Sequence, residues 1–249
     1  MEERIVSIHQ PNLFPRLKVL QKIAASNVYI VYDDVQFVRN DWQNRVLIRH
    51  LSLNEPFWVC IPVNKPNGRN SKINEVTIAE CEKTFTKIRR QFSLAYSRSL
   101  YWNEIEELLS KMLSYDFFNL NLSDYLFYTI KCILDYFSIK PQLIRSFSFK
   151  EEMPKEKNMH LITLCNLTAG NTYICGSGGL SYIDEDVFKD HGINILIQNW
   201  KEAEMEAAFG AMDWKNISFI DFWARFGTEA VKDILLSNKT FSINKGKEG

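Results

Sequence analysis

A chain of 249 residues is long enough to bury a sizeable core as one large or two small domains. Its 46% hydrophobic and 13% aromatic content is that of a globular protein, and thirty basic against thirty acidic side chains leave no net field to hold nucleic acid or an anionic membrane. No uninterrupted apolar run approaches the roughly 20 residues that a spanning helix needs, and Met1-Glu-Glu-Arg4 lacks the pattern of a signal peptide, so a soluble cytoplasmic protein without membrane insertion is expected.

Two short β-type runs, residues 4–8 and 28–32, bracket residues 17–26, where Leu17, Leu20, Ile23 and Ala24 recur at helical spacing. The unit reads β-loop-α-β. A right-handed crossover makes its strands parallel, so His9, Gln10, Asp33 and Asp34 share one carboxyl-end rim, where open α/β sheets place ligand groups. Residues 45–49 and 56–63 read as strands, with Pro62 marking an edge or an end. The loop 64–72 carries Lys65, Arg69 and Lys72, as a solvated turn or as a mobile clamp on an anionic ligand. Residues 73–78 suggest a further short strand.

From about residue 80 to 137 the pattern is helical, broken near 97–99, 114–116 and 119–123. The clearest stripe is Leu126, Ile130, Ile133, Leu134 and Phe137, with Ser123 as its N-cap. Strands at 140–145, 172–175 and 193–198 then alternate with helices at 158–167 and 184–191. This predicts one α/β domain over residues 1–249: a Rossmann-like, mostly parallel sheet, a helical insertion over about 80–137 and a frayed polar tail at 238–249.

Five widely spaced cysteines without a CxxC pair suggest free thiols, neither a zinc site nor a disulfide framework. Cys165 has no adjacent histidine, and Gly176-Ser-Gly178 lacks the frame of a serine elbow, so covalent catalysis is not the first expectation. His9, at a strand end before a proline, is placed to act as a general base or phosphate donor, although a single histidine is often structural. Side chains alternate along a strand, so one of Asp33 and Asp34 faces the cleft while the other pairs locally, with Arg45 or Arg39. Two such carboxylates also suit a hydrated Mg²⁺ that accompanies a nucleotide-linked ligand. Trp42, Asn44 and Arg45 offer a stacking face, an amide and a bidentate guanidinium. Gly176-Ser-Gly-Gly179, directly after a strand, is either a tight turn or a cradle for a phosphate.

His9-Gln-Pro-Asn-Leu-Phe-Pro15, Asp33-Asp-Val-Gln-Phe37 and Asp41-Trp-Gln-Asn-Arg45 resemble the WbqC-like family of bacterial proteins. Thr172-Tyr-Ile-Cys-Gly-Ser-Gly-Gly179, Tyr182-Ile-Asp-Glu-Asp-Val-Phe188, Gly192-Ile193, Gln198 and then Ser218, Asp221 and Gly227 extend the likeness over roughly residues 4–227. Arg16, where a tryptophan is usual, Cys175, in place of a small polar residue, and residues 199–209 depart from the pattern. The resemblance implies work on activated, nucleotide-linked sugars for O-antigen and other surface polysaccharides. Acyl or aminoacyl transfer to an amino sugar then fits best, with a small-molecule sugar and an acyl or aminoacyl donor as partners. In that scheme His9 is the base and Asp34 orients it; Gln10, Asp33, Gln36, Trp42, Asn44, Arg45, Gly176, Ser177, Gly178, Gly179 and Tyr182 hold substrate. A scaffold that recruits a glycan intermediate, or a glycosyltransferase, is the alternative.

Overall fold

The structure, a computed structural model, describes residues 2–114, 120–150, 152–176, 178–237 and 241–243. Strand β1 (Ile5–His9) leads through helix α1 (Leu17–Ala24) to β2 (Val28–Val31). A hairpin of β3 (Arg45–Arg49) and β4 (Pro56–Cys60) follows, then a small antiparallel pair, β5 (Val63–Asn64) and β6 (Thr77–Ile78). Helices α2 (Cys81–Tyr96), α3 (Trp102–Met112) and α4 (Leu122–Tyr136) precede β7 (Gln142–Arg145). The remainder runs α5 (Lys157–Leu167), β8 (Thr172–Gly176), α6 (Glu185–Asp190), β9 (Asn194–Gln198), α7 (Glu202–Phe209), α8 (Phe219–Leu235) and β10 (Phe241–Ile243).

Six strands form the main sheet in the order β10-β9-β8-β1-β2-β7, parallel except for β10. This is the expected Rossmann-like α/β architecture. The chain moves outward from β1 through β2 to β7, then returns to the other flank of β1 for β8 and β9. That reversal opens a topological switch point between the carboxyl ends of β1 and β8.

Both faces of the sheet are covered, which is why all four residues of β2 are buried. Tyr29 and Val31 join Leu17, Leu20 and Ile23 of α1 in the larger apolar cluster, which also takes in α2, α3, α4 and α8. Val28 and Ile30 face the other way, with Val6 and Ile8, toward Leu161, Ile162, Leu164 and Cys165 of α5. The period of two along the strand thus assigns successive residues to different cores. Among the described residues no helix is long and apolar enough to cross a membrane.

Several local expectations are revised. Residues 73–78 form a 3₁₀ turn over Ile73–Glu75 with a strand only at Thr77–Ile78, because the Glu75 carboxylate accepts the Lys72 N–H at 2.9 Å and closes the turn. Asn121, not Ser123, caps α4: its Oδ1 accepts from the Ser123 and Asp124 N–H groups. The helix α7 lies within 199–209, where sequence periodicity is silent. Of the tail expected to fray, residues 238–240 and 244–249 lie outside the described residues, but Phe241–Ile243 pairs antiparallel to β9 and covers what would be an open sheet edge. The expected helix break at 114–116 falls largely on residues outside the described set.

The family-like residues Ser218, Asp221 and Gly227 tie α8 to the rest. Ser218 Oγ accepts the Ile220 N–H and donates to the Phe14 carbonyl. Gly227 has φ +86° inside α8, and a Cβ there would lie 2.6 Å from the Tyr101 ring, so a side chain is excluded on both counts. Asp221 is fully buried and accepts from the Arg49 N–H (3.0 Å), the Tyr96 hydroxyl (3.0 Å) and Arg225 Nε (2.7 Å), joining β3, α2 and α8. Removing it orphans three donors. Asp221→Ala is expected to cost about 3 kcal/mol, the lower end of what breaking a buried ion pair costs because Arg225 keeps a solvent-facing edge, and urea denaturation measures it.

Candidate functional site

The carboxyl rim of β1 and β2 is fixed by one buried carboxylate. Asp33, fully buried, accepts at Oδ2 from Arg145 Nε (2.6 Å) and the Ser123 hydroxyl (2.6 Å), and at Oδ1 from the Phe147 N–H (3.2 Å). Arg145 also pairs with Asp124. Ser146 Oγ accepts the Asp33 and Asp34 N–H groups at 3.0 and 3.3 Å and gives its one proton to the Asp34 carboxylate. One aspartate therefore pairs locally and the other faces a cleft, as alternation requires. The local partner is Arg145 and not Arg45 or Arg39, because Arg45 lies on the separate β3–β4 hairpin. Asp33 is taken up by these donors, so of the two carboxylates suggested for a hydrated Mg²⁺ only Asp34 keeps a free oxygen; no group of three or more His, Cys, Asp or Glu side chains among the described residues is placed to hold an ion.

Asp34 opens onto a cleft of about 730 Å³, lined also by Gln10, Tyr32, Lys72, Ser146 and His160. His160 sits in the first turn of α5, with Nε2 3.8 Å from Asp34 Oδ2 and its ring edge-on to Tyr32 at 5.1 Å. Its Nε2 is buried with no hydrogen-bond partner among the described residues. Burial lowers the His160 pKa, the Asp34 charge opposes the shift and Lys72 adds to it.

His9 belongs to a second concavity, about 300 Å³, on the opposite flank of β1 at the switch point. The alternation of β1 sends His9 toward α1 and β8 while Gln10 turns to the larger cleft and accepts from Gln43 Nε2 at 2.9 Å. The expected pairing of His9 with Asp34 is therefore not formed: Asp34 contacts Ser146 and His160, and His9 Nδ1 lies 2.7 Å from the Gln10 carbonyl. Burial, followed by the Lys22 charge, holds the His9 pKa well below 6.5. Gly176, Gly178, Gly179 and Tyr182 line this second pocket; Ser177 lies outside the described residues. A Cβ on Gly179 would meet Cys175 Sγ at 2.6 Å, so the turn requires glycine there. Arg16, Lys18 and Lys22 complete the wall, and burial pushes both lysines down to about 8. Lys157 Nζ rests 3.1 Å from the Tyr182 ring centroid, joining a residue of the large cleft to one of the small pocket.

Trp42, Asn44, Arg45 and Gln36 line neither concavity. Gln36 donates to the Arg69 carbonyl and Asn44 to that of Ile61. Arg16, Trp42, Trp58 and Arg45 stack in a ladder, with the Arg16 guanidinium 4.4 Å from the Trp42 ring and that of Arg45 4.0 Å from Trp58. Arg16, notable in the sequence as a departure, is thus the guanidinium that reaches the pocket. Asp184 caps α6, its side chain accepting the Val187 N–H. His160 and Lys22 carry no motif; for His160 the one signal is position, since the first turn of a helix that follows a parallel strand returns to the rim, whereas Lys22 lies in the last turn of α1 and gives no such signal.

Both imidazoles have folded-state pKa values below 6.5. As pH falls below about 6.5 the unfolded chain takes up protons that the folded chain refuses, so stability is present above that value and lost beneath it. Urea midpoints at pH 7 and pH 5 are expected to fall accordingly, and less so in His9→Asn than in the wild type.

The WbqC-like protein family model matches residues 10–233. A relative from Mycobacterium tuberculosis (strain ATCC 25618 / H37Rv), the uncharacterized protein Rv1507c, is 27% identical over 235 residues, spanning 90% of this chain and 95% of its own. No solved structure matches the chain. With Gln10, Asp33, Asp34 and the glycine turn inside the matched region, the chain belongs to the WbqC-like protein family.

Proposed function

We propose that the protein is a transferase acting on an activated, nucleotide-linked sugar in surface-polysaccharide biosynthesis, and that it transfers an acyl or aminoacyl group to an amino sugar. The observation that supports this reading is the pairing of Asp34 with His160 in the large cleft. A carboxylate with one free oxygen, backed by an imidazole with an unpartnered Nε2, is an acid–base arrangement at the rim where α/β enzymes do their chemistry.

In this scheme the acceptor amine sits against Asp34, whose carboxylate edge faces the cleft. Its proton passes to Oδ2 and on to His160 Nε2 as the 3.8 Å contact closes to hydrogen-bond distance, which regenerates the carboxylate beside an imidazolium. The freed amine then attacks the acyl carbon of the donor: the C–N bond forms as the bond from the acyl carbon to the donor's carrier group breaks. The His160 imidazolium protonates the departing carrier, and Asp34 takes the remaining proton from the new amide nitrogen. Ser146 holds Asp34 in place. His9 has no part in the proton transfer.

Nucleotide-linked amino sugars incubated with a panel of acyl and aminoacyl donors, followed by mass spectrometry, test the reading. His160→Gln is expected to lower kcat by about 10²–10⁴-fold, the usual range for general acid–base catalysis, with KM little changed, whereas Asp34→Asn raises KM as well. No mass change with any donor, alongside measurable binding of a sugar nucleotide, would replace the transferase with a non-catalytic glycan-binding scaffold.

A further inference from the structure

We propose that the pocket between β1 and β8 is a binding site for a phosphoryl group, built around the buried ammonium of Lys22. Lys22 is 6% exposed and lines the pocket from α1. Among the described residues its side chain makes no ion pair and no hydrogen bond, and the charged or titratable groups nearest it are Cys175 on β8, Arg16 and Lys18 at the start of α1, and His9 on β1. A buried, unpaired ammonium is costly unless a partner arrives.

Among the described residues the lining contains no carboxylate. Arg16, Lys18, Lys22 and His9 converge on about 300 Å³, while Glu202 and Asp213 act on Lys18 from outside the lining. Asp41 likewise acts on Arg16 and Glu185 on Cys175, whereas no acidic residue acts on Lys22 among the groups that shift it. Two backbone features favour the same ligand. Arg16, Lys18 and Val19 belong to the first turn of α1, which has no acidic residue and no side-chain cap, so the positive end of the helix adds to the field. Gly176 and Gly178 leave their backbone open, with nothing within 4 Å of a would-be Cβ, so an anion can approach the main chain. The location at the switch point of the sheet is where α/β folds bind phosphates.

The site is distinct from the Asp34–His160 cleft and stands or falls independently of the transfer reaction. The phosphoryl group could belong to a phosphate monoester or to the pyrophosphate of a nucleotide-linked sugar; the shared chemistry is a tetrahedral oxyanion with at least two oxygens to share among Lys22, Lys18 and Arg16.

Isothermal titration of the full chain with inorganic phosphate, pyrophosphate and a UDP-linked sugar tests this. At least one is expected to bind, and the tightest of the three identifies the source. Lys22→Met keeps the apolar stem and is expected to weaken that binding at least tenfold without lowering Tm, since it removes an unpaired buried charge. Lys18→Met gives an independent reading should Lys22→Met fold poorly, with a smaller loss expected because Lys18 is only half-buried. Titrations at pH 8.5 in two buffers of different ionisation enthalpy are expected to show proton uptake on binding, because burial holds Lys22 at about 8 and an anion restores its proton. Absence of binding by all three probes at millimolar concentration, or equal affinity in the wild type and both variants, overturns the proposal.

Discussion

The buried carboxylate of Asp33 is the constraint on which the functional rim depends. It stands at the end of β2, takes hydrogen bonds from Ser123 at the start of α4, from Arg145 at the end of β7 and from the Phe147 N–H beyond, and so welds three separate segments at one point. An ionised group without exposure survives only when its acceptor sites are filled, and here they are. Because Asp34 is the next residue and shares Ser146 with it, fixing Asp33 also fixes the direction of Asp34 into the cleft. The direction of Asp34 into the large cleft is therefore set by the Asp33–Arg145 pair behind it.

On the other flank of β1 the electrostatic logic is inverted. Where Asp33 accepts from three donors, the Lys22 ammonium has no acceptor among the described residues, and the lining that also holds Lys18 and Arg16 shows no carboxylate among them. His9 and Gln10, adjacent in sequence, point to different sides and separate the two concavities; the Lys157–Tyr182 contact bridges them nearer the surface. One strand end thus divides a carboxylate–imidazole cleft from a cationic pocket. The Arg16–Trp42–Trp58–Arg45 ladder braces the cationic side against the β3–β4 hairpin, and stacking on Trp42 holds the Arg16 guanidinium while leaving its edge available.

Much of this was legible in the sequence, for reasons that also explain what was not. The β1–α1–β2 unit shows in local periodicity, and the right-handed crossover rule brings His9, Gln10, Asp33 and Asp34 to one rim without further information. Periodicity likewise marks α4 and the β8–α6–β9 return. Contacts across the sheet leave no such trace: Arg145 meets Asp33 across 112 residues, and α5 carries His160 to Asp34 only after the whole helical block has intervened. Lys22 resembles any lysine on an amphipathic helix until β8 closes over it. Assigning His9 to Asp34 fails because a shared rim does not mean a shared side of the strand, and Arg45 reads as a phosphate clamp only until Trp58, thirteen residues on, is seen beneath it.

The dependence of the rim on Asp33 is tested most directly by a double-mutant cycle in urea denaturation, with Asp33→Asn, Arg145→Met and the two combined. If the pair is the weld, each single change leaves the other partner orphaned, and the double variant is less destabilised than the sum of the two by about 1–3 kcal/mol. Additivity to within about 0.5 kcal/mol would contradict the account, since it would show that Asp33 and Arg145 hold the rim independently and that the buried pair is not what aims Asp34 into the cleft.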